Sequence, residues 1–253
     1  AVRSLERGEK AKNKILEEFP NANITLMELD LASLESINNF TNKIKEEKID
    51  IDVFYNNAGI LKETQPTTKD GYSQVMGTNY LGVYVLNENL KEYFKSLNHE
   101  VRVIFTTSIA QYLYKVNHED LLLSNDEYKT LKKYAISKRA ITHYFLSLRN
   151  ELEWTNVRVY LVHPGITHTA IIGKSFGKII TYLADKFMNS IFHKVSKASL
   201  STMYVLNDLI PNGTYVGPRG LFMISGYPKE HKVCRRVRKN FNKTIEETKK
   251  LGF

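Results

Sequence analysis

Tyr134 and Lys138 stand four residues apart in the run Tyr134-Ala135-Ile136-Ser137-Lys138. Positions i and i+4 share a helix face, so a phenol and an ammonium would project into the same space. An unperturbed phenol titrates at about 10. Nearby positive charge favours the phenolate, which is what a tyrosine needs to act as an acid or base near neutral pH. A surface tyrosine whose ring packs on a lysine stem has the same spacing, and Tyr-x-x-x-Lys is common by chance. The pair therefore gains meaning only from its company. Asp30, Asn57 with Ala58 and Gly59, Ser108, and Pro164 with Gly165 each follow an apolar run. In open α/β sheets, ligands sit outside the carboxyl ends of the strands, and these residues would line one such crevice. Taken singly they are ordinary strand-ending turn formers. Taken together they point to a site.

The elements that must position them alternate. Residues 4–19 read as an exposed helix, 24–29 as a strand ending at Asp30, and Ser33 with Ser36, Ile37, Phe40 and Ile44 as the next amphipathic helix. Residues 51–55 form a short apolar strand, and 71–97 carry Val75, Met76, Tyr80, Val83, Leu86 and Leu90 at helical spacing. A β-branched strand is expected over 101–106 and a polar loop over 115–132. The strongest helix spans 134–154, and a buried strand covers 157–162. Beyond it, 166–197 is irregular and partly helical, 198–208 is a short helix, and 220–224 is a last strand. With no repeat and no linker, the pattern predicts an α/β fold: one doubly wound domain, residues 1–253, with a mostly parallel sheet.

Composition narrows the classes. A chain of 253 residues, 42% hydrophobic and 25% charged, is neither disordered nor fibrous. Its longest stretch free of Asp, Glu, Lys and Arg is the 17 residues 71–87, broken by Ser73, Gln74, Thr78 and Asn79 and too short and polar for a transmembrane helix. One cysteine, Cys234, excludes an internal disulfide and offers no metal-site spacing, which favours a reducing, cytoplasmic setting. The net charge is +9, and residues 229–250 hold nine basic and three acidic residues, a net of +6. Such a cluster, within the C-terminal tail 229–253, suits an anionic membrane surface or nucleic acid, or is simply a solvated helix. No base-reading pattern accompanies it, so nucleic acid is not the expected partner.

Asn56-Asn57-Ala58-Gly59, Asn79 within Met76-Gly77-Thr78-Asn79-Tyr80-Leu81-Gly82, Ser108, Tyr134 with Lys138, and His163-Pro164-Gly165 occur here in one order. That order resembles the short-chain dehydrogenase/reductase family, and the opening residues, Leu29-Asp30-Leu31-Ala32-Ser33 and the 26-position gap from Ser108 to Tyr134 look like its retinol-dehydrogenase-like or WW-domain-oxidoreductase-like branch. The resemblance implies an NAD(P)-dependent oxidoreductase of alcohols and carbonyls. Tyr134 would be the general acid/base, Lys138 would lower its pKa and hold the nicotinamide ribose, and Ser108 would bond the substrate oxygen. Asn79 would sit at a distorted helical turn and hold a water leading to Lys138. Asp30 and Leu31 match positions lining the adenine, and Asn57, Ala58 and Gly59 match the strand end beside the adenosine. Pro164, Gly165, Ile166 and Thr169 match the nicotinamide side. Arg3 stands where a basic residue favours the 2′-phosphate, so NADP is preferred to NAD; the same arginine could be an ordinary helix-start residue.

The sequence departs from the family at one point: no Thr-Gly-x-x-x-Gly-x-Gly turn occurs in it, so a strand, a helix and the pyrophosphate anchor are missing. That loss would expose flanking strand edges. The chain is then either a fragment of a longer reductase or a complete product that binds cofactor poorly. The substrate expected is a small molecule, apolar if Ile171, Ile172, Phe176, Ile179, Tyr182 and Phe187 cap the site. The helices of Asn79 and Tyr134 form subunit contacts in many relatives, implying a homodimer, although members with such C-terminal extensions are often monomers. The alternative function is a non-catalytic dinucleotide-sensing or scaffold protein whose basic tail docks on a partner.

Overall fold

The computed structural model describes residues 1–118, 121–122, 129–165, 199–220 and 223–253. Two β-branched runs, β2 (Val101–Thr106) and β3 (Val157–Val162), pair in parallel from Val101 opposite Val157 to Thr106 opposite Val162. Both are buried nearly end to end, as expected of parallel strands covered on both faces. β1 (Val53–Asn56) pairs with the outer side of β2, β4 (Tyr215–Pro218) with β3 in parallel, and β5 (Pro228–His231) with β4 in antiparallel fashion. The five-stranded order is β1-β2-β3-β4-β5.

Pleat alternation divides the core. Val101, Val103 and Phe105 with Val157, Val159 and Leu161 join the larger apolar cluster. Ile104, Tyr160, Val162 and Val216 join a smaller one closed by Val205. The larger face is packed by α2 (Leu34–Glu46), α3 and α4 (Thr130–Glu151). The smaller is packed near α5 (Leu200–Tyr204). Here α3 is one continuous helix formed by Gln74–Met76, a π-helical turn Gly77–Leu81, and Gly82–Ser96. Gly82 is required by close approach: a Cβ there would lie 2.2 Å from the Leu31 carbonyl oxygen.

Helices read from capping residues start where those residues stand. Ser4 accepts from Arg7 N to open α1 (Leu5–Glu18), and Ser33 accepts from Ser36 N to open α2. Two expected strands differ. Residues 24–29 make only an isolated parallel bridge, Val2 opposite Glu28, with Val2 N to Met27 O at 2.9 Å and Leu29 N to Val2 O at 3.0 Å. Val2 offers one residue of partner, so no ladder extends. The strand expected at 220–224 is replaced, at its described residues, by a turn in which Gly220 N donates to Ser225 O and Met223 N to Gly220 O. The last strands are β4 and β5, on either side of it. β1 is an edge of the five-stranded sheet, with Val53 and Tyr55 exposed. That is the exposure expected when a flanking strand is absent.

The basic C-terminal segment is docked on the fold. α6 (Arg235–Arg238) and α7 (Phe241–Lys249) bury Val237, Thr244, Ile245 and Thr248. Tyr80 of α3 bonds Thr248 at 2.6 Å, so the chain's own C-terminus covers part of the helical surface considered for a homodimer. His143 of α4 is buried between these helices. Its Nδ1 accepts from Thr244 Oγ1 at 2.7 Å, and its Nε2 donates to the Val237 carbonyl at 2.7 Å. Among the described residues, no helix is long and apolar enough to cross a membrane.

Burial pulls His143 down to about 4. The unfolded chain takes up this proton near the ordinary histidine value of about 6.5 while the folded chain refuses it, so stability present above that value is lost as pH falls toward the folded pKa. Thermal unfolding across this window is expected to show a falling midpoint in the wild type. His143→Gln should flatten that slope at some cost in midpoint; an unchanged slope would refute the assignment.

Candidate functional site

Tyr134 and Lys138 lie one turn apart near the start of α4, and the Lys138 ammonium is 5.8 Å from the centroid of the Tyr134 ring. Ser108 ends the extended segment after β2 and caps the short 3-10 turn Ile109–Tyr112, its Oγ accepting from Ala110 N at 3.2 Å. The Ser108 side chain also stands close enough to the Tyr134 hydroxyl to favour its ionised form. Strand β2 and helix α4 thus bring a phenol, a hydroxyl and an ammonium to one point.

Lys138 is buried, and its ammonium donates to the Thr106 carbonyl at 3.1 Å. No carboxylate shares its site among the described salt bridges. Burial alone brings it down to about 8. The phenol was expected to be pulled down by this cation; instead burial raises Tyr134, and the nearby Ser108 side chain offsets part of that rise. Desolvation outweighs the lysine because both groups sit in the same low-dielectric space.

Asn79 occupies the π-helical turn, the distortion expected for it. Its carboxamide grips the loop after Gly59. Oδ1 accepts from Ile60 N at 2.7 Å, and Nδ2 donates to Ile60 O at 2.8 Å and to Ser137 Oγ at 3.1 Å. Ser137 Oγ in turn donates to the Tyr134 carbonyl at 2.7 Å. Asn79 therefore ties the β1 end to the Tyr134 helix through direct bonds. A Cβ on Gly59 would meet Asn79 Oδ1 and Lys138 Nζ, each at 3.3 Å, so Gly59, Asn79 and Lys138 converge.

A buried network beneath them escaped the sequence reading. Thr107 Oγ1 donates to the Lys138 carbonyl at 3.0 Å, Thr142 Oγ1 is bonded to Gln111 Oε1 at 2.7 Å, and Gln111 Nε2 donates to Tyr215 OH at 3.1 Å. The available signals were slight: Thr107 precedes Ser108, and Thr142 lies four residues after Lys138.

The other expected residues are more dispersed. Asn57, Ala58 and Gly59 form an exposed shelf at the end of β1, with Thr106 Oγ1 3.4 Å from Asn57 Oδ1. Pro164 and Gly165 end β3, half-buried, with Gly165 at φ +83°. Asp30 caps its own turn, Oδ1 accepting from Ala32 N at 3.0 Å, and Leu31 packs its carbonyl against Gly82. Arg3 is exposed next to the Val2 bridge. No described contact joins Arg3 or Asp30 to the Tyr134 group. Ile166, Thr169 and the apolar residues 171–187 lie outside the described residues.

The short chain dehydrogenase family model matches residues 1–178, and the chain belongs to that family. It is 34% identical to human retinol dehydrogenase 13 over 182 residues, 70% of this chain and 55% of that protein, so it spans about half the relative's length. An uncharacterised protein from Mycobacterium paratuberculosis superposes with TM-score 0.75 at 24% identity, covering 99% of this chain and 81% of that one. A short chain dehydrogenase from Burkholderia cenocepacia in complex with NADP gives TM-score 0.61 at 21% identity, covering 85% and 82%. These solved structures share the doubly wound α/β fold.

An interior ammonium without a counter-ion opposes folding. Lys138→Met should therefore raise the thermal midpoint of the free protein at neutral pH, by about 1–3 kcal/mol of stability. The folded lysine releases its proton first as pH rises from about 8 toward the unfolded value, so wild-type stability climbs there and its deficit against the variant narrows. A destabilised Lys138→Met with the same pH dependence as wild type would contradict this account.

Proposed function

We propose that the protein is an oxidoreductase that exchanges a hydride between a nicotinamide cofactor, preferably NADP, and an alcohol or carbonyl substrate. The observation that carries this reading is the buried Lys138 ammonium, bonded to Thr106 O and 5.8 Å from the Tyr134 ring, with Ser108 at the adjoining end of β2. The nicotinamide cofactor supplies the hydride and the electron pair when bound. The chain's residues do the rest. Tyr134 delivers a proton to the carbonyl oxygen in reduction and removes it from the alcohol in oxidation. Ser108, anchored at the β2 end, donates to the same oxygen as negative charge develops. Lys138 holds positive charge next to the phenol and eases its deprotonation.

The site suits such a cofactor at its nicotinamide end. Thr106 O takes one of the three ammonium protons of Lys138, leaving donors for ribose hydroxyls. The space that a Cβ on Gly59 would fill lies against Asn79 and Lys138. Asn57, Ala58 and Gly59 offer the open strand-end shelf, and Pro164 and Gly165 follow β3 beside it; by family pattern, Pro164, Gly165, Ile166 and Thr169 would serve the nicotinamide and Asp30 and Leu31 the adenine. No residue of this chain is assigned to the pyrophosphate. Arg3 supports NADP because a guanidinium favours a 2′-phosphate, and the NADP complex of the Burkholderia relative is in keeping with it. The human relative's name supports an apolar alcohol as substrate. A cytoplasmic, reducing setting suits the single free cysteine, Cys234.

Tyr134→Phe should cut turnover by roughly 10²–10⁴-fold while leaving NADPH affinity nearly unchanged. The assay uses the chain and a form extended ahead of Ala1 by a Gly-rich phosphate-binding turn; undiminished turnover by the variant would sink the role. In fluorescence titrations, Arg3→Glu should weaken NADPH by about tenfold or more and spare NADH. Equal losses for both nucleotides would remove the NADP preference.

A further inference from the structure

Five residues in a row carry the densest positive charge in the chain: Arg235, Arg236, Arg238 and Lys239 surround Val237, which alone turns inward. All four cations are exposed, and none makes an ion pair among the described residues. Several other surface cations are paired, as in Lys10 with Glu6 at 2.6 Å, Lys95 with Glu92 at 2.9 Å and Arg158 with Glu100 at 3.2 Å. Unneutralised like charges on adjacent positions repel one another, so the fold holds them together at a cost.

What holds them is buried. The Arg139 guanidinium, next to Lys138 in sequence, donates to the Tyr114 carbonyl at 3.0 Å and also to the Arg236 carbonyl. One side chain thereby joins the Tyr114 segment, 25 residues before it, and the Arg236 segment, 97 residues after it, into a single surface. On the Tyr114 side that surface presents Leu113, 52% exposed, and Tyr114, 40% exposed, followed by exposed Lys115. Lys232 is exposed on the other side. His143 and Thr244 fix the segment from beneath, so the patch is a rigid part of the domain.

We propose that this patch docks the protein on an anionic phospholipid surface. Clustered Lys and Arg are drawn to anionic headgroups. A leucine and a tyrosine beside them supply the apolar insertion and the interfacial phenol that a bilayer boundary rewards. Nucleic acid would use the cations and a stacking tyrosine but has no use for an exposed leucine. The proposal stands apart from the oxidoreductase reading, since docking is read without turnover.

The test is co-sedimentation of the full chain with vesicles of phosphatidylcholine alone or of phosphatidylcholine with phosphatidylserine. Binding is expected only to the anionic vesicles, weakening as salt is raised. Replacing Arg235→Gln and Arg236→Gln together should lower partitioning about 25-fold, at roughly fivefold per cation. Leu113→Ser with Tyr114→Ser should lower it while every cation remains. Lys10→Gln with Lys14→Gln, on the exposed surface of α1, should leave it unchanged, and matched thermal midpoints will show that each variant is folded. Equal binding to neutral vesicles, equal loss from the Lys10 and Lys14 control, or unchanged binding by the Arg235 and Arg236 variant would overturn the proposal. So would retention on duplex DNA at a salt concentration where the vesicles are not bound.

Discussion

The ammonium of Lys138, held in the interior against the carbonyl of Thr106, is the costly element around which the site is arranged. A buried cation with no carboxylate is tolerated only where surrounding groups fix both it and its acceptor. Thr107 and Thr142 bond its backbone carbonyl, Gln111 and Tyr215 extend that network, and Asn79 with Ser137 pins the adjacent turn. The result is a tyrosine, a serine and a lysine whose relative placement is set by buried bonds on rigid elements, the arrangement that proton transfer to a developing alkoxide requires.

That arrangement rests on two in-register parallel strands. β2 delivers Thr106, Thr107 and Ser108 at its carboxyl end, and β3 delivers Pro164 and Gly165 beside them. Because parallel strands end on one side of the sheet, loops from different strands share one crevice. The β1 side is less enclosed. There Asn57 to Gly59 lie exposed, and the Val2–Glu28 bridge stands outside the five-stranded ladder. The side of the site around Tyr134, Ser108 and Lys138 is therefore the more firmly built.

The C-terminal segment shows how a basic run can be both structural and exposed. Val237, Thr244, Ile245 and Thr248 face inward and meet Tyr80, His143 and the underside of α4, while the cations between them face solvent. Helical periodicity permits both at once, since three or four positions per turn point in different directions. Arg139 then links this segment to the turn that follows Ser108, so the outer surface and the site share a framework.

Local sequence determined the strands 101–106 and 157–162 to the residue, the helix starts at Ser4 and Ser33, and the pairing of Tyr134 with Lys138 on one helix face. Each depends on short-range physics: β-branched runs, side-chain caps and the 3.6-residue period. The family motifs placed Asn79 at a distorted turn, and it lies in one. Tertiary structure decided what needs a distant partner. Residues 24–29 carry a strand-like pattern but found only Val2 to pair with, and at Gly220 and Met223 the expected strand gave way to a turn because β4 and β5 close on either side. The Tyr80–Thr248 bond spans 168 positions and Thr142–Gln111 spans 31, distances across which no periodicity carries information. The same holds for electrostatics. Sequence places a cation one turn from a phenol, but only the fold decides that both are desolvated, and desolvation sets the direction in which each titrates.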